Sequence, residues 1–228
     1  MGWKLLEGKG YCTFEWNAMD EAIQNIHIEK LKESIKSIPE NKKVTVVVPS
    51  GNPEFSYPGV LDDLELRKVK EREVYYKDLR ETTAFPVNSL KFIADPPMEE
   101  SLRCLSSILG SHDEAIKQLD ALNAEVEPEK FRVYLVRKNG EDAGICIPHI
   151  EPFTESEGRL FFFGITHEFR GKGLSSTIHK FAIASLRIEL KADSYIGVTD
   201  RDNRPMKKVF VKNGCQKIQS LEIYSRIV

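Results

Sequence analysis

Residues 159–176 read Arg159-Leu160-Phe161-Phe162-Phe163-Gly164-Ile165-Thr166-His167-Glu168-Phe169-Arg170-Gly171-Lys172-Gly173-Leu174-Ser175-Ser176. Residues 159–166 are almost wholly apolar, and an uninterrupted apolar run predicts a strand buried on both faces. From there onward Leu174, Ile178, Phe181 and Ala182 fall on one helical face, which predicts a helix over 174–190. The chain therefore runs from a buried strand through Arg170-Gly171-Lys172-Gly173 straight into a helix. Such a turn aims consecutive backbone N–H groups out of the helix N-terminus, where the unpaired amides and the helix dipole attract a phosphate. Gly171 and Gly173 let the backbone approach a pyrophosphate with no Cβ in between. Arg170 and Lys172 add positive charge, and Ser175 and Ser176 add hydroxyl donors. Taken alone, residues 170–175 are equally compatible with a plain strand-to-helix turn carrying a solvated Arg and Lys. They lack the third glycine of a dinucleotide-binding turn and the Gly-Lys-Ser/Thr of a P-loop.

The flanking residues alternate between strand and helix signals. Downstream, residues 195–198 read as a strand and residues 200–203 as a polar loop. Pro205 suits the first turn of a helix to about Lys212, which Asn213-Gly214 stops. Residues 215–228 form the last strand. Upstream, a strand over 90–93 precedes helices over 98–109 and 114–123, with Ser111 and Asp113 as cap candidates. Strands over 131–137 and 143–150 join across Asn139-Gly140, the strongest short hairpin signal. Residues 80–89 read as a connector. Before it, Ile23, Ile26, Ile28, Leu31, Ile35 and Ile38 recur at helical spacing over 20–38, a helix ended by Pro39 and Asn41. A β-branched strand over 43–48, a loop over 50–53, a short helix around 60–64 and a long strand over 66–79 follow. At the start, residues 4–6 and 11–16 are expected to pair as a hairpin across Gly8-Lys9-Gly10. Helix, strand, loop Asn, short helix and long strand thus occur twice, once with Asn52 and Tyr75 and once with Asn203 and Tyr224. Either the chain carries a duplication, or the punctuation of two such segments coincides.

Composition narrows the function classes. Of 228 residues, 33 are basic and 35 acidic, a formal net charge of −2, so the basic excess of a nucleic-acid binder is missing. Apolar residues make up 41%, enough for a real core in one large domain or two small ones. Cys12, Cys104, Cys146 and Cys215 form no CxxC pair, which argues against a zinc knuckle and for buried thiols in a reduced, cytoplasmic protein. The histidines show no metal spacing, and His167-Glu168 lacks the second His of an HExxH, so no metal is expected. The N-terminal MGWKLLEGKG has no apolar leader core, and no run approaches the ~18 apolar residues of a membrane helix. Neither export nor membrane insertion is expected.

Residues 88–228 resemble the GNAT superfamily, the acyl-CoA-dependent N-acyltransferases. The likeness lies in the element order of this whole segment and in Phe163-Gly164-Ile165-Thr166-His167-Glu168-Phe169-Arg170-Gly171-Lys172-Gly173-Leu174-Ser175, which looks like the family's strand-to-pyrophosphate segment. The family pattern Arg/Gln-x-x-Gly-x-Gly/Ala ends here in Ser175, a small residue but a departure. The resemblance implies that backbone groups of Phe163, Gly164 and Ile165 pair with the pantetheine arm of acetyl-CoA or another acyl-CoA. It implies that the amides of Arg170, Gly171, Lys172, Gly173, Leu174, Ser175 and Ser176 hold the pyrophosphate. Asn203 matches the family's Asn that contacts the cofactor arm. Lys207 and Lys208 either meet the 3′-phosphate or are solvated helix lysines. Many relatives carry a Tyr general acid seven residues after the Asn; this sequence has Phe210, which cannot donate.

These readings predict an α+β protein. Residues 86–228 would form a GNAT-like domain with a mixed, mostly antiparallel sheet flanked by helices. Residues 1–85 would form a smaller α/β part, read as a degenerate half-copy that packs on the catalytic domain. The expected activity is transfer of an acyl group, acetyl in the first instance, from coenzyme A to a primary amine of a small molecule or peptide. Amine attack needs a proton acceptor. Glu168 and His167, just after the apolar strand, are the first candidates, and His149 and Glu151 the second. An N–H near Ile165 is the expected oxyanion donor. The rival is a module of the same fold that binds acyl-CoA or a protein without turnover, which Phe210 and the lack of an evident base favour.

Overall fold

Alternation and periodicity decide the elements. The computed structural model describes residues 2–8, 10–16, 23–52, 58–82 and 89–226. Its strands are β1 (Trp3–Glu7), β2 (Tyr11–Trp16), β3 (Lys43–Pro49), β4 (Leu66–Asp78), β5 (Lys91–Ala94), β6 (Tyr134–Lys138), β7 (Glu141–Ile150), β8 (Glu157–Ile165), β9 (Ser194–Asp200) and β10 (Gln216–Arg226). Its helices are α1 (Asn25–Lys36), α2 (Pro58–Asp63), α3 (Met98–Leu109), α4 (His112–Glu125), α5 (Leu174–Ile188) and α6 (Arg204–Lys212). The order α1-β3-α2-β4 recurs as α5-β9-α6-β10. The chain divides into two compact units: residues 1–74, 198–204 and 217–228 form one, and residues 75–197 and 205–216 the other. The expected boundary at 85/86 lies outside the described residues, as do Lys9 of the hairpin turn, the expected helix start at Asp20 and Pro53 of the loop.

In the first unit neighbouring strands follow the order β1-β2-β3-β10-β4. β1 and β2 pair antiparallel, from Trp3 opposite Trp16 to Glu7 opposite Cys12. β2 and β3 run parallel, while β3 and β10 run antiparallel with Val46 opposite Tyr224. Strict alternation in β3 sends Val44, Val46 and Val48 inward, where Ile28, Leu31 and Ile35 of α1 cover them together with Cys12 and Phe14 of β2.

The second unit follows the order β9-β8-β7-β6-β5. The β6–β7 turn puts Asn139 at φ 54° and Gly140 at φ 88°, the backbone of a two-residue hairpin. Helices cover both faces. Cys104 and Leu105 of α3 and Ala115, Leu119 and Leu122 of α4 pack on Leu135, Ile145 and Ile147. Leu174, Ile178 and Ala182 of α5 pack on Tyr134, Val136 and Cys146. The end of β4 belongs to this unit: Tyr75 and Leu79 join Ile183, Leu186, Tyr195 and Phe210 in its core, and the Leu79 N–H donates to the Asp193 carbonyl at 2.8 Å.

Two strand expectations need correction. The strand buried on both faces is β7, whose residues 143–150 are all buried; β8 is half-exposed along most of its length. Its parallel pairing with β9 covers only Glu157–Ser194 and Gly158–Tyr195, so among the described residues one edge of β8 has no ladder partner from Arg159 on. The strand expected over 131–137 starts at Tyr134. Arg132 N–H donates to the Pro148 carbonyl at 3.0 Å, but proline has no N–H to return the bond. The ladder breaks there and resumes as a lone bridge between Phe131 and His149.

Candidate functional site

The Gly-rich turn stands where β8 delivers it. Thr166, buried at the strand's end, donates its hydroxyl to the Asp142 carbonyl at 3.0 Å and its N–H to the Ala143 carbonyl at 3.1 Å. A single 3-10 turn over His167–Phe169 then buries Phe169 against the α5 side of the sheet, while His167 and Glu168 stay exposed. Arg170 folds back, its Nε donating to the Ile165 carbonyl at 3.1 Å and its Nη2 to the Ile108 carbonyl at 3.3 Å. Its charge thereby ties the turn to the ends of β8 and α3. Lys172 lies over the Phe169 ring with Nζ 4.8 Å from the centroid.

Between these anchors Gly171, Lys172 and Gly173 are exposed. Gly171 (φ 74°) and Gly173 (φ 75°) both adopt left-handed backbone, and Gly173 caps α5. Among the described residues the amides of residues 171–176 have no backbone acceptor outside α5. This is an outward-facing row of N–H donors at the positive end of a fifteen-residue helix, the geometry that receives a phosphate. Arg170, Gly171, Lys172, Gly173, Leu174, Ser175 and Ser176 thus sit together, with Leu174 buried as the hinge to the core.

Phe163, Gly164 and Ile165 are the last three residues of β8 before Thr166, on the strand with the open edge. Gly164 packs tightly: a Cβ there would lie 2.8 Å from Ile108 of α3. The register between β7 and β8 slips by one residue, since Ile147 faces Phe162 but the adjacent Pro148 faces Leu160. Phe161 is therefore the extra residue of a β-bulge, whose backbone is released from the ladder. Sequence reading places the oxyanion donor near Ile165, yet the backbone irregularity is four residues earlier. An unbroken apolar run carries no sign of a bulge. The Phe161 ring meets the ring of His149 edge-on at 5.9 Å between centroids. His149 is buried, with Nε2 3.4 Å from Glu151 Oε2 and with Nδ1 buried and unpartnered. Arg159 Nη1 also lies 3.4 Å from Glu151.

Asn203 belongs to the first unit, in the turn between β9 and α6, with its N–H on the Asp200 carbonyl at 2.9 Å. Phe210 is a core residue of the second unit: its ring lies 4.7 Å from Tyr75 and 5.4 Å from His179. All four cysteines are buried thiols without disulfides. Burial pushes Cys104 up to about 12 and Cys215 up to about 11, which removes both as thiolate nucleophiles near neutral pH. No helix among the described residues is long and apolar enough to cross a membrane.

No protein-family model matches the sequence, and no curated protein matches it. Solved structures do match. A tandem GNAT protein from the clavulanic acid biosynthesis pathway superposes with a TM-score of 0.66 at 13% identity, covering 98% of this chain and 77% of its own. A GCN5-related N-acetyltransferase from Sphaerobacter thermophilus gives 0.64 at 10% identity, covering 98% and 75%. One from Kribbella flavida gives 0.62 at 13% identity, covering 94% and 80%. At such identities the likeness speaks for the fold: the chain has the GNAT fold, an α+β arrangement of mixed sheet and flanking helices, as the sequence predicts.

Proposed function

We propose that this chain is an acyltransferase that moves an acetyl group from acetyl-CoA to a primary amine of a small molecule or peptide. The observation that carries the reading is the row of open amides over residues 171–176, set at the end of a strand with a free edge. The amides would hold the pyrophosphate. The free edge at Phe163, Gly164 and Ile165 would pair with the pantetheine arm as an added strand does. The released N–H at the Phe161 bulge would face the carbonyl oxygen as negative charge develops on it. The buried thiols fit a reducing, cytoplasmic setting. The repeated order α1-β3-α2-β4 and α5-β9-α6-β10 supports reading residues 1–85 as a degenerate half-copy of residues 86–228.

Two pairs of groups compete to take the amine's proton. Glu168 and His167 stand exposed beside the cradle. His149 and Glu151 stand at the bulge, and His149 keeps a ring nitrogen unpartnered. Replacing the true base lowers turnover by about 10²–10⁴-fold while acetyl-CoA still binds, so thiol release by His149→Ala and Glu168→Gln enzymes identifies it. Phe210, packed on Tyr75, favours the second reading, a module that binds acyl-CoA without turnover. Thermal unfolding with acetyl-CoA tests the site, because a ligand of the native state stabilises it by about 2.7 kcal/mol at a hundredfold excess over Kd. No rise in midpoint at saturation would sink both readings. A rise without thiol release from acetyl-CoA in the presence of any amine of a broad panel would leave the binding module.

A further inference from the structure

Behind the amide row lies a polar chain, partly buried at Ser176 and Asn213 and fully buried at His179 and Tyr195, that sequence reading does not reveal. Asn213 directly follows α6, and both the oxygen and the nitrogen of its side-chain amide are engaged. Oδ1 accepts from Ser176 Oγ at 3.2 Å, and Nδ2 donates to the Ser176 carbonyl at 3.0 Å and to His179 Nδ1 at 2.9 Å. The carbonyl can only accept, so the nitrogen of Asn213 must face it, and His179 Nδ1 must accept in turn. The imidazole proton then sits on Nε2, 3.1 Å from the Tyr195 hydroxyl. His179 is wholly enclosed, with the rings of Phe163, Tyr195 and Phe210 edge-on at 5.9, 5.3 and 5.4 Å. Burial, helped by the charge of Lys77, lowers its pKa to about 3, so the ring stays neutral and remains an acceptor.

We propose that Asn213 is a positioning residue for the pyrophosphate: by gripping both the hydroxyl and the carbonyl of Ser176 it fixes the first turn of α5, and with it the aim of the amides over residues 171–176. The inference rests on the cofactor reading above. Ser176 is the third residue of α5, and its own N–H is one of the open donors. A free first turn would fray, because its N–H groups have no partner within the helix. Asn213 holds it through the Ser176 hydroxyl and carbonyl, and His179 holds Asn213.

The test compares acetyl-CoA with acetyl-pantetheine, which carries the thioester arm but no pyrophosphate. Asn213→Ala is expected to weaken acetyl-CoA binding about tenfold and acetyl-pantetheine binding by less than about twofold, the scale of one to two lost hydrogen bonds. General damage to the fold would weaken both alike. Equal losses for both ligands, or no loss for either, overturn the inference while leaving the cofactor reading intact. Failure of the unaltered protein to bind acetyl-CoA defeats the cofactor reading itself, and this inference with it. Should the variant not fold, NMR of the unaltered protein decides. The Asn213 side-chain amide and His179 ring signals are expected to move when acetyl-CoA saturates the site and to stay with acetyl-pantetheine. Unmoved signals with acetyl-CoA, or equal movement with both, overturn it.

Discussion

Gly173 and His179 make opposite demands on the same helix. Gly173 needs φ 75° and has open space where a Cβ would stand, so Gly173→Ala meets backbone strain and no clash. We expect it to cost about 1 kcal/mol in urea unfolding and to weaken the acetyl-CoA-induced rise in melting midpoint. His179 shapes the pH response. Its folded pKa lies near 3, below the ordinary 6.5, so the unfolded chain takes up a proton that the folded chain refuses. Stability is therefore full above about pH 6.5 and declines as pH falls toward 3, at up to about 1.4 kcal/mol per pH unit. Urea midpoints at pH 7 and pH 5 should fall for the native sequence and fall less for His179→Phe; equal slopes would refute the assignment. Gly173 is legible in the sequence as a turn glycine without a Cβ just before a helical face, although its left-handed backbone is not, since helix N-caps are ordinarily extended. His179 is not. Periodicity places it beside Ile178 and Ala182, but its partners Tyr195 and Asn213 are 16 and 34 residues away, and Asn213-Gly214 reads only as a helix stop.

Elements whose ends are marked by local chemistry are legible, and those whose limits depend on neighbours are not. Met98–Leu109 coincides with the expected helix, since Pro97 opens it and Gly110 closes it at φ 74°. Ser111 caps α4 by accepting the Glu114 N–H at 3.2 Å, although the helix runs two residues longer at each end than expected. The open edge of β8 depends on where β9 departs, and no residue within β8 encodes that. Pro148 is an intermediate case. Its missing N–H is visible in the sequence, but the strand it shortens is β6, paired to it from elsewhere. Pro148→Val supplies a donor toward the Arg132 carbonyl. We expect the new amide to be protected in hydrogen exchange, with stability changed by less than about 1 kcal/mol. The gained hydrogen bond and the restored freedom of the unfolded chain nearly cancel. An unprotected amide at residue 148 would show that something other than the proline breaks the ladder.

At the scale of the whole molecule, the compact units are not consecutive stretches of chain. Tyr75 and Leu79 fill the core around Phe210, and β10 lies against β3. A fragment of residues 86–228 lacks both core side chains, a loss of about 2–5 kcal/mol for each buried side chain of this size. We expect it to unfold without a cooperative transition, whereas a fragment of residues 75–216, which keeps that core whole, should retain one in near-UV circular dichroism. A sharp transition in the shorter piece would mean that Tyr75 and Leu79 are dispensable. The threading also sets a timetable. Val44, Val46 and Val48 leave the ribosome long before Gln216–Arg226, one of the two strands that pair with theirs. The β1-β2-β3 side of this sheet must wait until β10 has been made before it can close, with one hydrogen-bonding edge of β3 exposed to chaperones and to other nascent chains in the meantime.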